Sequence, residues 1–411
     1  MTEFVDTIVA GGGTAGSAAA WQLARRGAEV LLLEAEAEVA DAPERAFELA
    51  FADPVHQAIA AESVGLWAEL EAETHTAVLD RSGAAVHGHA PRLETVAESL
   101  SRARLAHEIL SGAVAESRWP ALRFGGSVLF APQGGRFRES VAIGALQRAA
   151  ELQGARVARG VTITRVRILG DELARLEVRA TDRPETLAGS PAPGVPEPGE
   201  VREIECRRLV VTLGPATAKV LRGLVSLPRI SAARDNGIAV PGLGGSAPAV
   251  PSVLHLPDPT APGQGYWRGT AALIGGGGSI AIGWRDAGSA AGPAARSAAE
   301  ASARSGPLPP RELAALLRYA REWVPGADPD LPTVTSRTHT AVHDGGFVID
   351  RIGPVVVGAG FGAAGAGLAP GVGRLLAGLA DGIAAPSRFA LRPDRRQAFD
   401  PSGAQDSARR A

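Results

Sequence analysis

The sequence contains a single cysteine, Cys206, so the chain forms no internal disulfide and carries no cysteine-based metal site. It also contains a single lysine, Lys219, and its 42 basic and 44 acidic residues leave a net charge of −2. Because neither sign dominates, the composition argues against nucleic acid and against an anionic membrane surface as partners. We therefore expect the partner to be a small-molecule substrate.

Long apolar runs are also missing: none reaches the length of a membrane span, and the N-terminus lacks the pattern of a signal peptide. The histidine pairs His87/His89 and His339/His343 have no acidic or cysteine neighbours at ligand spacing, so we expect no metal. The 411 residues suffice for two or three domains of about 150 residues each. We expect a cytoplasmic monomer that does not bind a membrane.

The N-terminal residues have the pattern of a dinucleotide-binding unit. Residues 6–10 predict a buried strand, residues 17–26 a helix and residues 30–33 a second strand. The turn between the first strand and the helix has the G-x-G-x-x-G spacing at Gly11, Gly13 and Gly16, with Thr14 and Ala15 between them. The glycines allow the tight turn, the approach of a pyrophosphate and close helix packing. Glu34 ends the second strand, where an acidic side chain accepts hydrogen bonds from ribose hydroxyls.

The regular βα alternation stops after Glu34 and resumes only near the C-terminus. Between them we predict helices at 60–73 and 140–154 and strands at 156–157, 161–166, 173–180 and 208–213. A strand at 354–358, a glycine-rich turn at 360–367 and a helix at 371–379 form the last unit. This interrupted order favours FAD over NAD. Polar or small-residue stretches at 181–200 and 286–310 predict loops, and residues 384–411 predict a disordered tail.

Six stretches carry a resemblance to a known family: the first glycine motif and residues 65–75, 118–120, 207–215, 345–350 and 355–367. Through these six stretches the chain resembles members of the D-amino acid oxidase superfamily, and within that superfamily the monomeric sarcosine oxidase and N-methyl amino acid oxidase branch. The resemblance implies an α/β plus α+β architecture, with a Rossmann-like FAD-binding domain assembled from discontinuous segments and a mostly antiparallel-sheet substrate domain. We assign residues 1–83, 136–225 and 333–383 to the first domain and 84–135 and 226–332 to the second.

The resemblance also implies which residues hold the cofactor. Besides the first glycine motif and Glu34, these are residues from later segments of the chain: Arg45, Ile163, Gly214, Gly360, Phe361, Gly362 and Gly365. The family's covalent flavin link needs a cysteine, and Arg337 stands at that place. We therefore expect noncovalent FAD.

Further departures concern the reaction. Ala281 stands where sarcosine oxidases have their oxygen-activating lysine, while Glu48 and Gly367 stand where the family has an arginine and a lysine that bind the substrate carboxylate. Two polar residues remain as catalytic candidates, Arg285 and His339, either of which would bind or polarise a substrate. For Arg285 we also consider that its charge replaces that of the lost lysine. The alternatives are a surface strand end for Arg285 and a packing residue for His339.

The resemblance implies an FAD-dependent oxidoreductase that oxidises a C–N bond of an amine or N-substituted amino acid-like substrate by hydride transfer. Two alternatives stay open. The absence of the activating lysine is compatible with a flavin dehydrogenase that uses an acceptor other than oxygen. The loss of both carboxylate anchors is compatible with a flavin-binding protein that no longer catalyses a reaction.

Overall fold

The computed structural model describes residues 3–36, 44–186, 199–243, 250–258, 270–276, 278–285, 308–342 and 344–392, without the side chains of 181–186, 233–234 and 337–338. Most of the two predicted loops, His343, the Arg337 side chain and the tail beyond residue 392 therefore lie outside the described residues. No helix within the described ranges is long and apolar enough to cross a membrane.

The strands pair into two large sheets and one small sheet of β3, β8 and β4. In chain order they are β1 (Glu3–Ala10), β2 (Val30–Glu34), β3 (Glu44–Phe47), β4 (Leu79–Asp80), β5 (Ala84–Gly88), β6 (Glu108–Ser111), β7 (Ser127–Ala131), β8 (Gly135–Arg138), β9 (Arg156–Gly170), β10 (Leu173–Thr186), β11 (Val201–Val211), β12 (Ile230–Pro241), β13 (Ser252–Leu256), β14 (Thr270–Gly276), β15 (Ser279–Arg285), β16 (Thr333–Val342), β17 (Val348–Ile352) and β18 (Val355–Ala359).

The helices connect and cover these strands. They are α1 (Thr14–Ala24), α2 (Pro54–Thr74), α3 (Ala90–Arg102), α4 (Gly112–Arg118), α5 (Glu139–Leu152), α6 (Thr217–Val220), α7 (Pro310–Trp323) and α8 (Ala369–Ala380). Helix α2 begins earlier than the sequence predicted because the Asp53 carboxylate accepts hydrogen bonds from the Val55 and His56 amides, which caps the helix at Pro54.

The first sheet has seven strands and a parallel centre. Strand β1 lies between β2 and β11, β2 pairs with β9, and β11 pairs with β18, all in parallel. Strands β10 and β17 add antiparallel pairs. The central strands are buried on both faces, since helices α1, α5 and α8 pack on one side and a second apolar cluster fills the other. This confirms the predicted Rossmann-like part of the fold.

Strand β9 runs without interruption where the sequence predicted two short strands. Gly160, a residue type that usually marks a break, lies inside it. The strand continues because it pairs with β2 before this point and with β10 along most of its length. Tertiary pairing therefore overrides the local signal.

The second sheet has eight strands in the order β16-β12-β15-β14-β13-β5-β7-β6. Its neighbours are antiparallel except for β13 and β5. Helix α7 packs on one face of this sheet, with Leu316 and Tyr319 in the same buried cluster as Ile280 and Ile282. Strand β16 belongs to this sheet through its pairing with β12. We therefore propose that the domain boundary placed at residue 333 lies after β16.

The start of the predicted tail is packed. Residues Ser387–Phe389 form a 3₁₀ turn, Phe389 is fully buried, and the Leu391 amide donates a 2.7 Å hydrogen bond to Asp350. The expectation of disorder is therefore wrong for residues 384–392. The sequence signal was misleading because polar residues surround these two anchoring side chains.

Two histidines are buried between the second sheet and α7. His87 on β5 and His255 on β13 stack with ring centroids 3.7 Å apart, and the His255 Nδ1 lies 3.0 Å from the Tyr319 hydroxyl. Burial lowers the pKa of His87 to about 3. Burial also lowers the pKa of His255, and the neighbouring His87 lowers it further. Both side chains are therefore neutral in the folded protein at neutral pH.

Acid is expected to destabilise the protein through this histidine pair. Between the ordinary histidine pKa near 6.5 and the lowered values, the unfolded chain binds protons that the folded chain does not, so stability falls as the pH falls. At pH 5 each of the two histidines lowers the free energy of unfolding by about 2 kcal/mol relative to pH 7.5. Urea unfolding at the two pH values measures this loss.

His87→Leu is expected to reduce the difference in unfolding free energy between pH 7.5 and pH 5 by about 2 kcal/mol, because one proton-binding site disappears from the unfolded chain. Replacing it loses no hydrogen bond at Nδ1, which has no partner among the described groups. His75→Asn is the matched control: His75 is exposed with φ 53°, a conformation that asparagine tolerates. An unchanged pH dependence in His87→Leu would contradict the assignment.

Candidate active site

The first glycine turn is built by close backbone contacts. A Cβ on Gly11, which has φ +101°, would lie 2.5 Å from the Thr212 carbonyl oxygen, and a Cβ on Gly16 would lie 1.8 Å from the Gly11 oxygen. Any larger residue at either position would push α1 away from the ends of β1 and β11. These two glycines are therefore required by the turn itself.

Gly13 has a different environment. A Cβ placed there would meet nothing within 4 Å, and its φ of −67° is accessible to every residue type. It precedes α1, whose first turn has no side-chain cap, so the amides of Thr14 and Ala15 are available to an anion. This open cradle fits the pyrophosphate of a dinucleotide.

Glu34 lies beside the same turn. The Gly12 amide donates a 2.6 Å hydrogen bond to its Oε2, and the Glu36 amide donates a 3.0 Å hydrogen bond to its Oε1. The carboxylate is thus fixed at the carboxyl end of β2, next to the cradle. An acceptor held there suits the ribose hydroxyls of a bound dinucleotide.

A buried polar group behind the turn was missed in the sequence. The Gln147 Nε2 on α5 donates to the Gly12 carbonyl at 3.1 Å and lies 3.2 Å from the Ser17 hydroxyl, and Arg159 donates to the Gln147 Oε1. The Ser17 hydroxyl also donates to the Gly12 carbonyl at 2.9 Å. Nothing in the sequence indicated this role, because Gln147 sits inside an ordinary helix far from the turn.

The second glycine turn joins the two sheets. The Gly362 amide, at φ +64°, donates a 2.8 Å hydrogen bond to the Thr340 carbonyl of β16, and Phe361 forms an isolated bridge with Ala341. The other predicted members of this region are Gly360, which precedes Phe361, and Gly365, where an added Cβ would lie 2.3 Å from the Phe361 Cβ. Gly214 begins a 3₁₀ turn three residues after the end of β11, close in the chain to Thr212, whose carbonyl a Cβ on Gly11 would meet.

Two further residues predicted to contact the cofactor, Ile163 and Arg45, lie outside the two glycine turns. Ile163 lies on β9, and its side chain, 8% exposed, belongs to the apolar cluster of the first sheet. Arg45 lies on β3, and its Nε forms a 2.7 Å ion pair with Glu139 at the start of α5. Contact of either residue with FAD stays a prediction.

Strand β15 has one buried apolar face and an opposite face with three small residues and one arginine. Ile280, Ile282 and Trp284 are buried in the cluster under α7. The alternate positions point to the opposite, open face of the sheet, because side chains alternate along a strand. These positions are Ser279, Ala281, Gly283 and Arg285. Ala281 and Arg285 therefore share the open face.

Arg285 is not a free cation. Its guanidinium donates a hydrogen bond to Glu48, whose side chain is 7% exposed. Glu48, which stands where the family has a carboxylate-binding arginine, is thus the ion-pair partner of Arg285. The hypothesis that Arg285 replaces the charge of the missing lysine is weakened, because Glu48 balances that charge.

His339 lies on β16 near both arginines. Its Nδ1 is 3.4 Å from Asp235, without the alignment of a hydrogen bond. Burial lowers the pKa of His339, Asp235 opposes this effect, and the charges of Arg285 and Arg45 lower the pKa further. The structure therefore brings His339, Arg285 and Arg45 together, with His339 neutral at neutral pH. Among the residues the structure describes, no group of three metal-ligating side chains occurs.

A small pocket lies between residues 46–50 and the second sheet. Alanine and aliphatic side chains make up most of its lining, and Glu48 is the charged residue among the described lining residues. The pocket thus lies next to the Arg285–Glu48 pair.

The comparisons with known proteins give a matching family model, related sequences and a solved structure of the same fold. The family model described as FAD dependent oxidoreductase, DAO, matches residues 6–379. The peroxisomal sarcosine oxidase of Mus musculus is 27% identical over 97% of this chain and 97% of its own. The monomeric sarcosine oxidase of Bacillus sp. (strain B-0618) is 25% identical over 92% of this chain and 93% of its own. The solved structure of NikD, described as an unusual amino acid oxidase essential for nikkomycin biosynthesis, has the same fold with a TM-score of 0.68. NikD is 22% identical, and the match covers 95% of this chain and 98% of NikD.

Proposed function

The chain belongs to the DAO family of FAD-dependent oxidoreductases, and from this premise we propose that it oxidises a C–N bond of an amine or amine-containing small molecule with noncovalent FAD. The observation that carries the proposal is the meeting of two parts of the molecule. The second glycine turn, which follows β18 of the first sheet, is tied by the Gly362 amide to β16 of the second sheet. On that strand His339 lies within electrostatic reach of Arg285 and Arg45.

When bound, FAD accepts a hydride, with its electron pair, from the carbon next to the substrate nitrogen. The nitrogen lone pair forms the C=N double bond as the hydride leaves, so a protonated amine first has to lose a proton from its nitrogen. His339 is suited to accept this proton, because its lowered pKa keeps the imidazole neutral. Asp235 beside Nδ1 favours the tautomer that carries its proton there, which leaves Nε2 as the acceptor.

The absorbance spectrum of the purified protein, before and after acid precipitation, tests cofactor binding. We expect a flavin spectrum and release of the flavin into the acid supernatant, because noncovalent FAD leaves an unfolded chain. Flavin that stays with the precipitate would contradict noncovalent binding. Protein without any flavin would contradict the cofactor assignment.

Anaerobic titration of the holoprotein with simple amines and N-methyl amino acids tests the reaction. We expect at least one of them to bleach the bound flavin, as hydride transfer requires. A bound flavin that none of them reduces would favour the alternative of a flavin-binding protein without catalysis. The second alternative, a dehydrogenase with another electron acceptor, is favoured by the pairing of Arg285 with Glu48, since no free cation of the described open face replaces the lysine.

A further inference from the structure

The peptide group between Gly12 and Gly13 is held from one side of the first glycine turn. The Gln147 Nε2 on α5 and the Ser17 hydroxyl both donate to the Gly12 carbonyl, at 3.1 and 2.9 Å. In a trans peptide the N–H points opposite to the carbonyl, so the Gly13 amide points away from Gln147. Among the described residues, none accepts a hydrogen bond from this amide. The Gly13 amide is therefore a third available donor beside the first two amides of α1.

Arg159 on β9 decides which end of the Gln147 amide faces the turn. Its guanidinium donates to the Gln147 Oε1. Because a guanidinium has donors and no acceptor, it pairs with the oxygen of the amide and leaves the Nε2 to face Gly12. Gln147 is fully buried and Arg159 nearly so, and reversing the amide there would leave buried polar groups without partners. Arg159 thus fixes Gln147 as a donor to the turn.

Gly12 itself leaves room for this arrangement. A Cβ at this position would lie 2.9 Å from the Glu34 Oε2 and 3.1 Å from the Gln147 Nε2. In the G-x-G-x-x-G spacing Gly12 stands at an x position, where the motif permits other residues, and its φ is not positive. The glycine therefore accommodates the two side chains that close on it, which the turn alone does not require.

We propose that Gln147 is a positioning residue for the cofactor. By holding the Gly12 carbonyl on the side of α5, it keeps the Gly13 amide directed at the pyrophosphate of FAD. The inference rests on the proposed function and adds to it a fully buried residue behind the turn. Such a residue is needed because a peptide between two glycines turns over easily. The reversed peptide would present a carbonyl oxygen, with its partial negative charge, to the phosphates.

Gln147→Glu reverses the interaction that holds this peptide. The introduced carboxylate still accepts a hydrogen bond from Arg159, but it repels the Gly12 carbonyl. Turning the peptide over relieves the repulsion, because the Gly13 amide then donates to the carboxylate. We expect fluorescence titration of the apoprotein to give an FAD affinity about 10²-fold lower, since one donor to the phosphates is lost and a carbonyl replaces it.

Gln153→Glu is the matched control for this variant. It introduces the same charge at an exposed position at the C-terminal end of the same helix. Because this end of α5 lies outside the turn, Gln153→Glu should leave FAD affinity unchanged. An FAD affinity in Gln147→Glu equal to that of the parent protein would overturn the inference.

Gln147→Met separates positioning of the peptide from simple support of the turn. Methionine has a similar length and makes neither hydrogen bond, so the Gly12 carbonyl keeps the Ser17 hydroxyl as its donor. If Gln147 only supported packing, Gln147→Glu would bind FAD more tightly than Gln147→Met, because it keeps the pairing with Arg159. We expect the opposite order, since methionine does not drive the peptide over. FAD binding at least as tight in Gln147→Glu as in Gln147→Met would contradict the positioning role.

Calorimetric titration of each apoprotein with ADP and with adenosine gives a second measurement. Adenosine has the ribose that Glu34 is placed to bind, but it lacks the phosphates. The Gly12 amide that bonds to Glu34 belongs to the preceding peptide, which stays in place. We therefore expect both Gln147 variants to bind ADP more weakly than the parent protein and adenosine equally well. Equal weakening of the two ligands would assign Gln147 to the stability of the whole turn and overturn the inference.

These measurements are independent of the reaction. A parent protein that binds FAD, but whose flavin no amine reduces, would contradict the proposed reaction and leave the role of Gln147 standing. Normal flavin reduction in a protein whose FAD affinity does not depend on Gln147 would do the opposite. A parent protein that binds neither FAD nor ADP would contradict the cofactor assignment and this inference together.

Discussion

Replacing Ala281 with lysine is expected to accelerate reoxidation of the reduced enzyme by oxygen by roughly 10²-fold, the scale of one preorganised group that stabilises developing negative charge. Ala281 lies on the open face of β15, on the same side as Arg285. Its cross-strand neighbours are Ala239 and Ile274, so an added side chain meets no charged group at these positions. A lysine there would supply a cation that no carboxylate of these neighbours neutralises.

Stopped-flow mixing of the anaerobically reduced enzyme with aerated buffer measures this rate. We expect the parent protein to react slowly, because Glu48 balances the Arg285 charge. Ala281→Met is the matched control, since its side chain extends from the strand without a charge. Equal acceleration in Ala281→Met and Ala281→Lys would show that the access of oxygen, rather than charge, limits the reaction. Reoxidation of Ala281→Lys at the rate of the parent protein would contradict the prediction.

Gly13→Ala is expected to weaken FAD binding by about tenfold or more while the apoprotein keeps its stability. The added methyl group meets nothing in the protein within 4 Å, and the backbone there already has an ordinary conformation. It would occupy the space through which a pyrophosphate approaches the amides of α1. Fluorescence titration of the apoprotein with FAD measures the loss of affinity.

Gly16→Ala separates this effect from damage to the turn. Its Cβ would lie 1.8 Å from the Gly11 oxygen and 2.5 Å from the Thr212 hydroxyl. We therefore expect Gly16→Ala to lower the stability of the protein by about 1–3 kcal/mol and to weaken FAD binding as well. Gly65→Ala, at an exposed helical position with open space, is the control and should leave FAD binding unchanged. A Gly13→Ala protein that binds FAD normally would contradict the placement of the pyrophosphate.

The sequence by itself determined the parts of the protein that depend on a short stretch of backbone. The strand, glycine turn, helix and Glu34 were predicted because tight turns and apolar strands have local residue signatures. The same reasoning placed the second glycine turn at residues 360–367, although the sequence could not show that this turn bonds to β16 through Gly362. The family resemblance then connected these local units into one fold.

Only the tertiary structure decided which charges meet in the site. Glu48 and Arg285 are 237 residues apart, and their pairing depends on how residues 46–50 lie against β15. The stacking of His87 on His255 likewise depends on the parallel pairing of β5 with β13, which brings distant segments side by side. Sequence patterns record the face of a strand and the type of a turn, but they do not record which separate faces come together. For that physical reason the first glycine turn was readable from the sequence, whereas the pairing of Arg285 with Glu48 was not.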